Sequence, residues 1–239
     1  MRQCLNSIAS QLHEDSELII IDGGSTDDTS KIIDDFKSHI SYYISEPDKG
    51  IYDAWNKGVK AAKGDWVAFI GADDILLPHA IEKYMDAILH TSNISEYDYI
   101  CAHNEFVDLT GKFLKKIGNE PKWEYMRKGN AAAHVASLHN RKNLFGEIGY
   151  YDLNYKISAD YELLVRKKDK LKYLYLDDVV IARMKVGGMS FSTAALVEVY
   201  KIRKKHNCVS PFVNVLTFCK DMIAFKRFVL KNKMKGAKV

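Results

Sequence analysis

Apolar and polar positions alternate in short blocks along the first half of the chain, each apolar run being followed by a segment of helical spacing, which is the pattern of an α/β sheet. Residues 17–21 (ELIII) read as a strand that ends at Asp22. Gly23 and Gly24 make the turn, and Ser25 with Asp28 resembles a capping box opening a helix through Phe36. Residues 40–44 form a second short strand, and Pro47-Asp48-Lys49-Gly50 a turn. A helix follows with the apolar stripe Ile51, Ala54, Trp55, Val59 and Ala62, stopped at Gly64. The five-residue apolar run 66–70 reads as a central buried strand. Directly after it stand Gly71-Ala72-Asp73-Asp74, and Pro78 is placed at the first turn of the next helix.

The second half is less regular. Residues 97–102 and 105–109 read as two strands, and Thr110-Gly111 turns the latter into 112–117. A further strand is expected at 134–139, a helix at 160–167, strand-rich chain at 171–184 and a loop at Gly187-Gly188. From Thr193 onward the pattern is helical and increasingly basic. Phe212, Val215, Leu216, Cys219, Met222 and Ile223 share one helical face. Between residues 220 and 239 seven cations (Lys220, Lys226, Arg227, Lys231, Lys233, Lys235, Lys238) face one acid, Asp221. Such a helix suits either an anionic membrane surface or docking on its own domain with its lysines solvated.

Composition narrows this picture. The 239 residues, 47% hydrophobic, can bury one sizeable core, and a net charge of +4 does not call for nucleic acid as a partner. Four cysteines without paired spacing read as reduced thiols. No window reaches the length of a membrane span and residues 1–11 lack a signal-peptide core, so a cytoplasmic chain is expected, peripheral on the inner face of the plasma membrane if its tail binds lipid.

In an open α/β sheet, ligands bind beyond the carboxyl ends of the strands, and here those ends carry Asp22 and the pair Asp73-Asp74. A departing diphosphate needs its charge neutralised, and Mn2+ or Mg2+ held by one or two carboxylates does so. The same aspartates could instead cap the helices that follow them. Taken alone they do not separate a transferase from other nucleotide-binding α/β enzymes.

Four blocks in order are more specific: ELIIIDGGSTDDT, SEPDKGIYDAWNKG, GDWVAFIGADDILLP and YKISADYELLVR. Together they resemble the family-2-like glycosyltransferases, in particular the bacterial branch that builds surface polysaccharides, over roughly residues 3–190. The resemblance implies a GT-A fold, a Rossmann-like mixed sheet flanked by helices, ending near residue 190 and followed by a helical basic segment over 191–239. It implies an inverting transfer from a nucleotide-diphosphate sugar, expected to be a UDP-sugar, to a glycan or lipid-linked acceptor. Position by position, Asp22 matches the acid that contacts base or ribose, Asp73 the last acid of the metal-binding D-x-D motif with Asp74 beside it, and Asp160 the catalytic base. Asp48 and Lys49 match a turn beside the nucleotide, and His134 a position lining the donor or acceptor pocket. Arg166 could meet a phosphate or pair with Glu162 one turn earlier, and Trp55 reads as core.

The pattern also departs from the family. Gly71 stands where the D-x-D motif begins with an acid, Gly23 where many relatives carry a second acid, and the first strand of the family has no counterpart ahead of residues 1–11. Loss of that strand is expected to leave backbone groups of the neighbouring strand unpaired. Two other readings follow. A nucleotidyltransferase or sugar-phosphate enzyme would want basic phosphate clamps near Gly23-Gly24, and residues 14–30 contain none. A truncated or degenerate relative would bind glycan or a partner transferase without turnover.

Overall fold

The computed structural model describes residues 1–130, 134–185 and 192–233. Helix α1 (Arg2–Ala9) leads into β1 (Ile19–Asp22), α2 (Thr29–Asp34), β2 (Tyr42–Ser45) and α3 (Ile51–Ala61). Then come β3 (Trp66–Ala68), β4 (Ile75–Leu76), α4 (Ala80–His90), β5 (Tyr99–Val107), β6 (Phe113–Ile117), α5 (Trp123–Met126) and β7 (Leu138–Asn140). A π-helical turn (Arg141–Gly146), α6 (Ala159–Lys167), β8 (Tyr173–Lys185), α7 (Thr193–Lys205) and α8 (Pro211–Lys233) complete the described chain. The Gly187-Gly188 loop, Lys235, Lys238 and the boundary expected at residues 190–191 fall outside the described structure.

The main sheet has the order β3-β7-β5-β8-β4, with β6 paired to the outer part of β5. The β5–β8 pair is parallel and the others are antiparallel. Side chains alternate across β5: Tyr99 and Cys101 enter one core, Ile100 and Ala102 the other. Helices α1, α2 and α4 cover the second face through Leu5, Ile8, Ile33, Ala80 and Tyr84, joined by Phe36 just after α2. Helices α3, α5, α6 and α7 cover the first, and Ile202 of α7 is fully buried there. The result is three layers, helices on both faces of a mixed sheet.

Strands β1 and β2 form a separate parallel pair. Among the described residues no strand lies between β1 and β3, so each keeps one unpaired edge. Residues 66–70 are therefore not a central strand: β3 pairs with β7 alone, although Trp66 and Val67 point into opposite cores. Burial on both faces makes an edge strand look central in sequence. What joins the two sheets is packing and one carboxylate. Leu18 and Ile20 share a core with α1, and Glu17 Oε1 accepts the backbone N–H groups of Lys63 and Gly64 at 2.7 and 3.0 Å.

Three local expectations are corrected. Ser25 does not cap α2; Asp28 is the residue before the helix, and the Ser25 hydroxyl is taken by Asp22. Pro78 lies outside α4, whose preceding residue is His79 in the left-handed region at φ 62°. Residues 97–109 hold one strand, β5, continuous through irregularities at Ala102–Asn104 that a sequence pattern reads as a break.

Candidate active site

Asp22 ends β1 nearly buried, and its carboxylate is fully engaged. It accepts the backbone N–H of Ser25 at 3.0 Å and the hydroxyls of Ser25 and Ser45 at 2.5 Å each. Burial alone would push its pKa up, but these hydrogen bonds hold it below the usual carboxylate value. The adjoining turn is closed by Asp48, whose Oδ1 accepts the Gly50 N–H at 2.8 Å. A Cβ on Gly23 would lie 2.5 Å from Asp48 Oδ2, so a residue with a side chain at position 23 would displace that carboxylate. Lys49 takes part through its backbone: its N–H donates to Asp53 and its carbonyl accepts from Lys156 Nζ.

Asp73 and Asp74 stand in the turn between β3 and β4. Asp73 is exposed and Asp74 is 6% exposed. Desolvation, and then the neighbouring charge of Asp73, raise the Asp74 pKa to about 6. A Cβ on Gly71 would sit 2.9 Å from Asp74 Oδ2 and 3.1 Å from Asp73 Oδ1. The missing side chain thus lets both carboxylates close over the turn, and a third acid would be pressed against them. Among the described residues no cationic side chain pairs with either. Among the described residues, the one group of three metal-type side chains near enough to share an ion, His13, Glu14 and Asp15, is exposed and lies elsewhere. Two adjacent carboxylates, that of Asp73 exposed, fit Mn2+ or Mg2+, which take one or two protein carboxylates plus substrate phosphates.

Asp160 is the second residue of α6, 8% exposed, and meets His134. His134 Nδ1 lies 2.8 Å from Asp160 Oδ2, and the Tyr52 hydroxyl of α3 lies 2.8 Å from Oδ1. Burial opposes the charge on both partners, yet their attraction prevails: Asp160 is held below its usual pKa and His134 above. His134 is positioned by the turn after it. Ser137 N–H donates to the His134 carbonyl, Ala136 N–H to Phe69, and Asn104 Nδ2 to Val135, with buried Ala136 in the left-handed region at φ 56°. Trp55 stacks on Phe69 at 4.5 Å and tilts towards His134 at 5.8 Å, so it is both core and site wall.

The structure thus brings Asp74, His134 and Asp160 into one electrostatic neighbourhood and lays Asp48 over the Asp22 turn. Arg166 has no free face for a phosphate: it pairs with Glu162 and donates to the carbonyls of Ile148 and Tyr150. Tyr52, Ser45 and the Gly23–Asp48 contact escaped the sequence reading. Tyr52 had a signal, since it precedes Trp55 by three and Val59 by seven on the α3 face. A cleft of about 430 Å3 between Lys60, Asp65, Arg141, Lys142 and Tyr150 opens at the far ends of α3 and β3 and is not where these carboxylates meet.

The family model "Glycosyl transferase family 2" matches residues 1–129. The chain belongs to this family. A PGL/p-HBAD biosynthesis glycosyltransferase of Mycobacterium bovis is 32% identical over 192 residues, covering 78% of this chain and 72% of the relative. An uncharacterized glycosyltransferase of Rickettsia typhi is 25% identical over 205 residues, covering 82% and 63%. Among solved structures, S. aureus TarS 1–349 superposes with a TM-score of 0.64 at 15% identity, covering 90% of this chain and 63% of TarS 1–349. A mannosyltransferase of Pyrobaculum calidifontis, solved with GDP-Man and Mn2+, gives a TM-score of 0.58 at 12% identity, covering 86% of this chain and 59% of that one. This family 2 glycosyltransferase therefore has the GT-A-like fold, and it spans about three-fifths of the solved chains it resembles.

Proposed function

We propose that this glycosyltransferase moves a sugar from a UDP-sugar to a hydroxyl of a glycan or lipid-linked acceptor, with inversion at the anomeric carbon. The observation that carries the reading is the Asp160–His134–Tyr52 cluster: a buried carboxylate kept ionised by a histidine and a tyrosine at the end of the nucleotide-binding sheet. Asp160 accepts the acceptor proton as the acceptor oxygen bonds the anomeric carbon and the bond to the diphosphate breaks. A weak base suffices, because the hydroxyl becomes acidic only as its oxygen acquires the new bond. Asp73 and Asp74 would hold a divalent ion, which offsets the charge developing on the diphosphate. Asp22 and Asp48 order the turn that receives base and ribose, and His134 orients the base. The surface-polysaccharide role is supported by the mycobacterial relative, whose name places it in PGL/p-HBAD biosynthesis. Attachment to an anionic membrane surface is supported by the outward face of α8, where Phe212, Leu216 and Ile223 are exposed beside Lys220, Lys226 and Arg227. No helix among the described residues is long and apolar enough to cross a membrane.

The deciding experiment is a thermal-shift titration with UDP, GDP, TDP and CDP, each with and without Mn2+. UDP at about 100 times its Kd is expected to stabilise the protein by roughly 2.7 kcal/mol, more with Mn2+ than without. Asp73→Ala is expected to lose the metal increment, and Asp160→Asn to keep the nucleotide shift while losing transfer. No stabilisation by any nucleotide would favour a non-catalytic relative instead.

A further inference from the structure

The turn that delivers Asp160 to the site carries three successive backbone N–H groups with no partner in their own segment. Those of Lys156, Ile157 and Ser158 all donate to one carboxylate, that of Glu198 in α7, at 2.8, 2.9 and 2.9 Å. Ser158, the residue before α6, makes no side-chain cap of its own. Glu198, 40 residues or more away in sequence, thus satisfies the amides of the turn leading into α6. From the opposite side α3 grips the same turn: the Tyr52 hydroxyl lies 2.7 Å from the Ile157 carbonyl oxygen, and Lys156 Nζ donates to the Lys49 carbonyl at 3.1 Å. The residues just ahead of Asp160 are therefore clamped between α3 and α7. Helix α7 lies outside residues 1–129, the part of the chain that the family model matches.

We propose that Glu198 is a positioning residue for Asp160: by fixing the backbone of residues 156–158 it sets the angle at which the Asp160 carboxylate meets His134 and the acceptor hydroxyl. Charge-assisted bonds from three consecutive amides leave that turn a single conformation, which matters because a displacement of about 1 Å at a reacting group costs on the order of 100-fold in rate. The proposal rests on Asp160 as the base. It also assigns α7 a part in the catalytic machinery and not only in the core.

The test compares Glu198→Gln, Glu198→Ala and Asp160→Asn in the full chain. Turnover is read as nucleoside diphosphate released from the nucleotide sugar whose base stabilises the protein in the thermal-shift panel. Backbone order is read as amide hydrogen exchange at residues 156–158. Glu198→Gln keeps the shape of the side chain but loses the charge and one acceptor oxygen, so it preserves the fold even where Glu198→Ala does not. Exchange at these three amides is expected to quicken at least about tenfold in both Glu198 variants, with kcat lowered roughly 10- to 100-fold and the donor KM within about threefold. Unchanged exchange in Glu198→Gln overturns the proposal. So does quickened exchange with full turnover while Asp160→Asn is inactive, since the turn would then be ordered without consequence for the base. Turnover retained in Asp160→Asn removes the base assignment and the proposal with it, a result distinguishable from the other two because it does not depend on Glu198.

Discussion

Asp22 and Asp160 are the same residue type at nearly equal exposure, and their neighbours make them chemically different. Asp22 spends its oxygens on the amide and hydroxyl of Ser25 in its own turn and on the hydroxyl of Ser45 at the end of β2, which makes it a rigid organiser. Asp160 is held by one tyrosine and one histidine, and lone pairs remain on both oxygens for a substrate proton. Position in the sequence marked both, because both stand where a strand or loop gives way to a helix in a recognisable block. Apart from Ser25, their partners come from 23 to 108 residues away and were not legible. Gly23 shows the same limit: read as a lost acid, it is the position over which Asp48 folds. In Gly23→Ala the Asp48 carboxylate must swing aside. That atom ends a flexible side chain, so the stability cost is expected to stay below about 1 kcal/mol. Nucleotide-induced stabilisation should nevertheless shrink. A melting temperature and a nucleotide shift both equal to wild type would remove Asp48 from the donor site.

At the scale of elements, strand type follows from residue type but strand neighbours do not. The apolar residues of β3 announce burial on both faces, yet whether the strand is central depends on a partner that the local pattern cannot name. Helix α8 shows the same division. Its apolar periodicity was plain in sequence, but the helix docks through a different face and leaves most of that stripe outward. Phe218 packs on Tyr200 at 5.1 Å, Asn214 donates to the Tyr200 carbonyl, and Asp221 faces Arg203, while Phe212, Val215, Leu216, Cys219 and Ile223 look outward. The helix is thus docked on α7, and its outward face is apolar with cations alongside. Leu216→Glu with Ile223→Glu alters only exposed positions and should leave the melting temperature unchanged. Binding to phosphatidylglycerol vesicles, expected for the wild type and weak with phosphatidylcholine, should fall at least about tenfold. Equal binding by variant and wild type would take the membrane reading away from this face.

For the whole molecule, the Asp73-Asp74 turn couples stability to pH. The Asp74 pKa is raised from 3.8 to about 6, so the folded state binds this proton more tightly than the unfolded chain. Its stabilising effect is complete below about pH 4 and is lost as pH rises through about 6, a change of roughly 3 kcal/mol. Asp74→Asn should escape that loss, so its stability advantage over wild type should grow between pH 4.5 and 7.5 in urea melts without metal. Mn2+ at pH 7.5 should narrow the gap by stabilising the wild type. An advantage independent of pH would mean that Asp74 is not the group responsible. The sequence by itself determined the α/β class, the order of most elements, the family, and the aspartates at the strand ends, because period, turn chemistry and motif spacing are local properties carried by a few neighbouring residues. Only the tertiary structure decided that the sheet is split, that Gly71 makes room for two carboxylates, that Tyr52 and His134 share Asp160, and that Glu198 orders the turn before it. Each of those depends on which distant segments meet, and that is settled by packing the whole core at once.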